Sequence, residues 1–104
     1  MIVVHIICTT KTQAEEILEM LIMESLIYNA MVSEKIIYEK KSPKTLASSK
    51  QILVTAKTKS LLFQSINDRL RETQGNHMPM LYCLPVVYMD PDQAQQLLKE
   101  TIKI

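Results

Sequence analysis

The hydrophobic pattern of the chain changes period near residue 10. Ile2–Cys8 is short, β-branched and almost continuously apolar, which is typical of a strand that is covered on both faces. Beyond Thr10 the apolar residues recur at helical spacing, and Gln13 stands where a capping box requires it. The pattern therefore predicts a strand, then a helix that begins after Thr10. The buried positions of this helix are Ala14, Ile17, Leu18 and Leu21.

A second change of period predicts two strands joined by a polar hairpin. Residues 27–40 combine β-branched and charged side chains, which indicates a long strand that is half exposed toward its end. Residues 41–50 form the one linker-like stretch, and their serines, lysines and proline suit a hairpin tip. The returning strand would begin at Leu46 or Gln51 and end at Lys57.

The last part of the chain predicts a helix, a strand and a final helix. Thr58 or Ser60 would cap the second helix, and Gly75 would end it in the left-handed conformation. Residues 78–88 have the composition of a strand, and Asp90 followed by a proline opens the final helix. The apolar stripes are Leu62, Phe63, Ile66 and Leu70 in the second helix and Ala94, Leu97, Leu98 and Ile102 in the final one.

These elements follow the order β-α-β-β-α-β with one additional C-terminal helix, which is the split βαβ or ferredoxin-like plan. Right-handed crossovers would place both long helices on one face of an antiparallel sheet with the strand order 4-1-3-2. The first strand is apolar on both sides, so the face without helices also needs a cover. We therefore predict a single α+β domain over residues 1–104, a ferredoxin-like sandwich that assembles with copies of itself.

Length and charge narrow the class of protein. With 104 residues, 47% of them hydrophobic, the chain can bury a core without a cofactor for folding. A formal net charge of +1 and strands without stacking aromatics argue against a nucleic-acid partner. No segment resembles a membrane span or a signal peptide, so we expect no membrane partner and a cytoplasmic location. Cys8 and Cys83 are expected there as reduced thiols.

Residues 76–90 concentrate histidine, methionine and cysteine, which are ligands of soft or borderline metals. In a strand, however, His77 and Cys83 would lie about 20 Å apart. Met78 and Met80 would both face away from Cys83. We keep His77, Cys83 and Met80 as metal-ligand candidates but do not expect them to converge on one ion. Packing of an apolar strand is the alternative explanation for these residues.

No pattern of catalytic residues emerges from the sequence. The chain has a single glycine, which excludes a glycine-rich phosphate loop. Glu15, Glu16 and Glu19 follow the exposed face of a helix instead of converging in a cleft. His5, within an apolar strand, is expected to be a hydrogen-bonded core or interface histidine. We therefore predict that the protein is not an enzyme.

Three segments, in this order and spacing, resemble the CutA family of divalent-cation tolerance proteins. Residues 26–32 parallel the family's Leu-Ala-Ala-Cys-Val-Asn-Ile run, and Lys57 and Thr58 match the Lys-Thr pair that ends its third strand. Residues 79–85 match its Pro-Glu-Ile-x-x-x-Pro strand. The resemblance covers essentially the whole chain. It implies a homotrimer of ferredoxin-like subunits, in which the second and third strands reach a neighbouring subunit.

The resemblance also implies where a ligand site would lie. Related P-II-type signalling proteins bind small effectors in clefts between subunits. In this chain we expect the subunit cleft or interface to include Tyr28, Ile36, Ile37, Tyr38, Lys57 and Tyr82.

The chain departs from the family at positions that bear on the ligand site. Asn29 stands at the family's cysteine and Met31 at its asparagine, while residues 39–45 replace its Trp-x-Gly hairpin. Met80 stands at its glutamate, which implies a softer cation, such as copper, or none. We therefore expect a non-catalytic trimer linked to divalent-cation (copper) tolerance or response, with an altered ligand site. The alternative is a P-II-like regulatory module that binds a small effector at the subunit cleft.

Overall fold

The computed structural model describes residues 1–103, in which strands and helices follow the predicted order. The elements are β1 (Ile2–Cys8), α1 (Lys11–Met23), β2 (Met31–Ser42), β3 (Thr45–Thr58), α2 (Phe63–Gln74), β4 (Met80–Pro85) and α3 (Pro91–Glu100). The strands form one antiparallel sheet in the order β2-β3-β1-β4. This is the predicted order counted from the other edge, so the ferredoxin-like α+β fold is confirmed.

The core lies between the sheet and the helices α1 and α2. Alternate residues of β1 are buried, as strand geometry requires for a face that packs against helices. Removing one such aliphatic side chain from water contributes about 1.5–3 kcal/mol, so this packing is the main source of stability. The fully buried side chains include Val4, Ile6, Cys8, Ile17, Leu21, Ile66 and Leu70.

α1 and α3 begin where the capping patterns predict. The Thr10 hydroxyl accepts a hydrogen bond from the Gln13 N–H at 3.1 Å. The Gln13 side chain in turn accepts one from the Thr9 N–H at 3.2 Å. At α3 the Asp90 carboxylate accepts a hydrogen bond from the Gln93 N–H at 3.1 Å. The caps at Thr10 and Asp90 are confirmed, because capping depends on residues that are close in the sequence. The capping box is not complete, since Gln13 accepts from the N–H of Thr9 and not from that of Thr10.

β2 begins later than predicted. It starts at Met31 instead of Ile27, because Leu26 and Ile27 belong to the connection that follows α1. Both are buried, and their N–H groups donate to the Leu21 carbonyl oxygen at 2.9 and 3.4 Å. Ser25, with a φ of 57°, turns the chain at this point. Leu26 and Ile27 therefore pack in the core without being part of the sheet.

The hairpin is longer, and its tip shorter, than predicted. β2 and β3 stay paired as far as Ser42 and Thr45, so residues 43–44 form the tip. β1 pairs with β3 only from Ile52 onward, and residues 35–50 therefore form a two-stranded arm. The radius of gyration, 15.1 Å, exceeds the about 13 Å typical of this length because the arm projects. The prediction from composition placed the hairpin tip wrongly, because whether a residue joins a strand depends strongly on its cross-strand partners.

The start of α2 also corrects the prediction. Neither Thr58 nor Ser60 caps it, because the 3₁₀ turn Ser60–Leu62 comes first. The Thr58 hydroxyl instead donates to the Leu26 carbonyl oxygen at 2.6 Å, in the buried core. A tertiary partner thus replaces the local cap. Gly75 has the expected positive φ, 54°, but its ψ of −119° lies outside the left-handed helical region.

β4 ends at Pro85, before the predicted end at residue 88. Proline cannot donate a ladder hydrogen bond, and the Val86 N–H donates to the Met1 carbonyl oxygen at 3.1 Å. The connection to α3 exposes Val87 and Tyr88. The aromatic and β-branched residues that suggested a longer strand are therefore surface residues.

Candidate functional site

A surface cavity of about 290 Å³ lies where the turn before β4 meets the start of α1. His77 ends the 3₁₀ turn Gly75–His77, and Met80 begins β4, so the two residues reach the cavity from adjacent segments. We call it the His77–Met80 cavity. Its other lining residues are Ile7, Thr9, Gln13, Gln51, Asn76, Met78 and Pro79.

The three predicted metal-ligand candidates are divided by the sheet. Met80 is 63% exposed on the face without helices, whereas Cys83 packs against the core on the other face. Strand alternation separates them, since residues at odd spacing point to opposite faces. Met78, expected on the side of Met80, instead packs against the core because it precedes the strand. The cavity therefore combines His77 with Met80 but not with Cys83.

Cys8 is the most deeply buried chemically reactive group in the described part of the chain. Burial raises the pKa of its thiol from 9.0 to about 11. The thiol is therefore protonated at neutral pH, whereas both nucleophilic attack and metal binding require the thiolate. Cys8 is accordingly a core residue and not a site residue.

The raised pKa of Cys8 predicts a pH-dependent stability. The folded protein keeps the proton that the unfolded chain loses above pH 9.0, so stability is retained below that pH and lost toward pH 11. We expect Cys8 to lower the free energy of unfolding by about 1 kcal/mol at pH 10. Denaturant titrations of the unsubstituted protein and of Cys8→Ala at pH 8 and pH 10 measure this loss. An equal decline in both proteins would contradict the assignment to Cys8.

A second cavity, of about 350 Å³, lies beside the end of β3 and the helix α3. It contains Tyr28 and Lys57, two of the residues predicted in the subunit cleft, and also Asn29. We call it the Tyr28–Lys57 cavity. A phenol, an ammonium group and side-chain amides suit a small polar or anionic molecule better than a metal ion. The remaining lining residues are Met89, Gln93, Gln96 and Leu97.

The residues that α3 contributes to this cavity were not predicted from the sequence. Helical spacing places Gln93, Gln96 and Leu97 on one face of α3, but it does not indicate which element that face meets. In the structure the buried Leu97 directs the face toward β3. The sequence therefore shows that these three residues share a face of α3, but not that this face contacts β3.

Tyr82 and His5 form a pair on the sheet face without helices. The two residues are cross-strand partners, and the His5 Nδ1 and the Tyr82 hydroxyl lie 3.1 Å apart, within hydrogen-bond distance. Their rings meet edge to face, with centroids 5.1 Å apart. The other predicted interface residues, Ile36, Ile37 and Tyr38, lie on the arm and line neither cavity.

Other candidate sites are weaker. Within residues 1–103, no three His, Cys, Asp or Glu side chains are grouped so as to hold a metal ion. A cavity of about 510 Å³ includes Lys59, whose ammonium already donates to the carbonyl oxygens of Thr101 and Ile102 at 3.3 and 2.7 Å. None of the predicted site residues lines it. In the same part of the chain, no helix combines the length and apolarity needed to span a membrane.

Solved structures of the same fold include several CutA proteins. CutA1 from Pyrococcus horikoshii aligns at 22% identity and a TM-score of 0.87, covering 99% of this chain and 100% of that one. CutA1 from Oryza sativa aligns at 15% identity and 0.86, covering 99% and 94%. The periplasmic divalent cation tolerance protein CutA from Archaeoglobus fulgidus aligns at 14% and 0.83, covering 96% and 98%. At these identities the similarity establishes the fold.

Sequence comparison supplies the family. No curated protein matches the chain. The model of the family described as CutA1 divalent ion tolerance protein, however, matches residues 2–100. That match covers nearly the whole chain and agrees with the motifs at Lys57 and Pro79. The chain therefore belongs to the CutA1 divalent ion tolerance protein family.

Proposed function

We propose that this protein is a non-catalytic, cytoplasmic homotrimer that acts in divalent-cation tolerance by binding copper at an altered ligand site. In this proposal, residues 1–104 form one CutA-like domain. The observation that carries it is the shared His77–Met80 cavity, in which a thioether stands where the family has a carboxylate. Family membership supports the role in cation tolerance.

The donor set of the cavity favours copper over harder cations. Thioether sulfur selects cuprous copper, and imidazole binds copper readily, whereas magnesium and calcium require several oxygen ligands. Met78 also lines the cavity, but it packs against the core and is not counted among the ligands. The reductants of the cytoplasm convert divalent copper to the cuprous ion, so tolerance of the divalent metal would be met by ligands for its reduced form. Cuprous copper accepts such a small set of soft ligands. Copper here is the cargo of the protein, and the fold does not depend on it.

The trimer is supported by the distribution of exposed apolar side chains. They concentrate on the first residues of β2, on the arm, on β4 and on the loop that follows β4, which together exceed the scattered exposure usual in a monomer. A second copy of the same chain is the simplest cover for such a surface. The residues are Met31, Val32, Ile36, Tyr38, Leu46, Met80, Tyr82, Leu84, Val87 and Tyr88.

Copper titration tests the proposal. We expect the unsubstituted protein to bind cuprous copper against a competing chelator. His77→Ala and Met80→Leu should each weaken binding by more than about tenfold, since removing a direct ligand costs at least as much as disturbing a group that orients one. Cys83→Ser should bind as the unsubstituted protein does, because that thiol faces the core. Met23→Leu is the matched control, since Met23 is 83% exposed at the end of α1, outside the cavity. A loss only in Cys83→Ser would contradict the assignment.

The Tyr28–Lys57 cavity favours a second candidate function, a regulatory module that binds a small effector. Lys57 makes no ion pair within residues 1–103, so its ammonium is available to an anionic ligand. Calorimetry separates the candidates. Binding heat in a titration with copper, and none with the metabolites, supports cation tolerance. Heat with nucleotides or carboxylate metabolites, lost in Lys57→Met, supports the regulatory module.

A further inference from the structure

Gln13 lies between the two segments that form the His77–Met80 cavity. Its side-chain amide nitrogen donates to the His77 carbonyl oxygen at 2.7 Å and to the Gln74 Oε1 at 3.1 Å. Its amide oxygen accepts from the Thr9 N–H at 3.2 Å and from the Thr9 hydroxyl at 3.4 Å. One side chain thereby joins the 3₁₀ turn before β4 to the beginning of α1.

These bonds use the full capacity of the amide. A primary amide has two N–H donors and two acceptor positions, and all four are occupied. Gln13 therefore has no free lone pair for a metal ion, although it lines the cavity. In the described part of the chain no other side chain is hydrogen-bonded to the turn Gly75–His77. Gln13 is thus the side chain that ties this turn to the start of α1.

We infer that Gln13 is a positioning residue for copper: through the His77 carbonyl oxygen it holds the turn that places His77 in the same cavity as Met80. This inference rests on the proposed function. Groups that orient metal ligands without touching the metal typically change affinity by about 10- to 100-fold. Gln13 was identified in the sequence only as a helix cap, and its bonds to residues far along the chain give it this second role.

Copper affinity in a double-mutant cycle tests the inference. We expect Gln13→Leu to weaken cuprous copper binding by about tenfold. In the His77→Ala background the same change should have no further effect, because Gln13 acts through His77. Gln64→Leu is the matched control, since the Gln64 side chain, within residues 1–103, bonds only to Asp68 on α2 and lies outside the cavity. Affinity of Gln13→Leu within twofold of the unsubstituted protein would overturn the inference, as would equal losses in both backgrounds.

A second variant separates positioning from helix capping. Gln13→Glu keeps the oxygen that accepts from the Thr9 N–H at the start of α1 but removes both N–H donors, one to the His77 carbonyl oxygen and one to Gln74. We expect weaker copper binding even though the added carboxylate attracts a cation in the cavity. Stronger binding would contradict the positioning role.

A measurement without copper distinguishes failure of the inference from failure of the proposed function. Hydrogen exchange at residues 75–77 should become faster in Gln13→Leu than in Gln64→Leu at equal global stability. Unchanged exchange would show that Gln13 does not hold the turn, whatever the protein binds. Absence of copper binding by the unsubstituted protein would overturn the proposed function and the copper role of Gln13 together.

Discussion

Replacing Ile36 by lysine is expected to convert the proposed trimer into monomers. Ile36 is 63% exposed on the arm, and docking of the arm on a neighbour would bury it. A lysine there would place an unpaired ammonium group in an apolar contact, at a cost of several kcal/mol in each interface. We expect the concentration at which the trimer dissociates to rise on the order of 100-fold. Light scattering at micromolar concentration would then report the mass of one chain.

The secondary structure provides the comparison for this variant. Ile36 lies outside the core cluster, so the circular dichroism of Ile36→Lys should match that of the unsubstituted protein. Met23→Lys introduces the same charge at an exposed apolar position on α1 and should leave assembly intact. If the unsubstituted protein is itself a monomer at micromolar concentration, the trimer proposal fails. If Ile36→Lys remains a trimer, Ile36 and the arm around it do not form the interface.

Thr58→Val is expected to lower the free energy of unfolding by about 2 kcal/mol. The Thr58 side chain is fully buried, and its hydroxyl donates to the Leu26 carbonyl oxygen at 2.6 Å. Valine has the same shape but no donor, so it leaves that buried oxygen without its hydrogen bond. Urea unfolding at one fixed protein concentration measures the loss, since assembly makes stability concentration-dependent.

Thr55→Val is the matched control for this substitution. Thr55 lies on the same strand, but its side chain points to the other face and its hydroxyl makes no hydrogen bond within residues 1–103. We expect its free energy of unfolding to change by less than about 0.5 kcal/mol. Equal losses in the two variants would mean that the Thr58 hydroxyl has no special role. The predicted contrast explains why the Lys-Thr pair ends with a threonine.

The sequence predicted best those features that depend on neighbouring residues. The start of α1 at Thr10 and the cap at Asp90 follow from capping by nearby residues, and the structure has both. Strand order, a long-range feature, was also predicted correctly, because it follows from the order of the elements and the handedness of their crossovers. The start of α2 was wrong because Thr58 bonds to Leu26, a partner 32 positions away that no local pattern shows. Of the two starts predicted for the returning strand, Leu46 lies one residue from the observed start at Thr45. Gln51 was too late because pairing between β2 and β3 outweighs the composition of the residues before it.

For the candidate site, too, the features that follow from local pattern were predicted and those that follow from packing were not. Strand alternation alone indicated that Met80 and Cys83 lie on opposite faces of the sheet. It could not bring Tyr28 to Lys57, or Gln13 to His77, because those contacts depend on how separate elements pack. The sequence therefore indicated candidate ligand residues, whereas only the structure shows which of them lie together in one cavity.

The central position of β1 has a consequence for synthesis of the chain. β1 is made before the other strands of this sheet, and its partners come much later in the chain: Ile2 pairs with Thr58 on one side and with Pro85 on the other. A ribosome adds roughly 5–20 residues per second, so this apolar strand stays unpaired for seconds after it emerges. The β2–β3 hairpin, by contrast, closes locally. The nascent chain should therefore depend on chaperones chiefly at β1, and its folding should be limited by these long-range pairings.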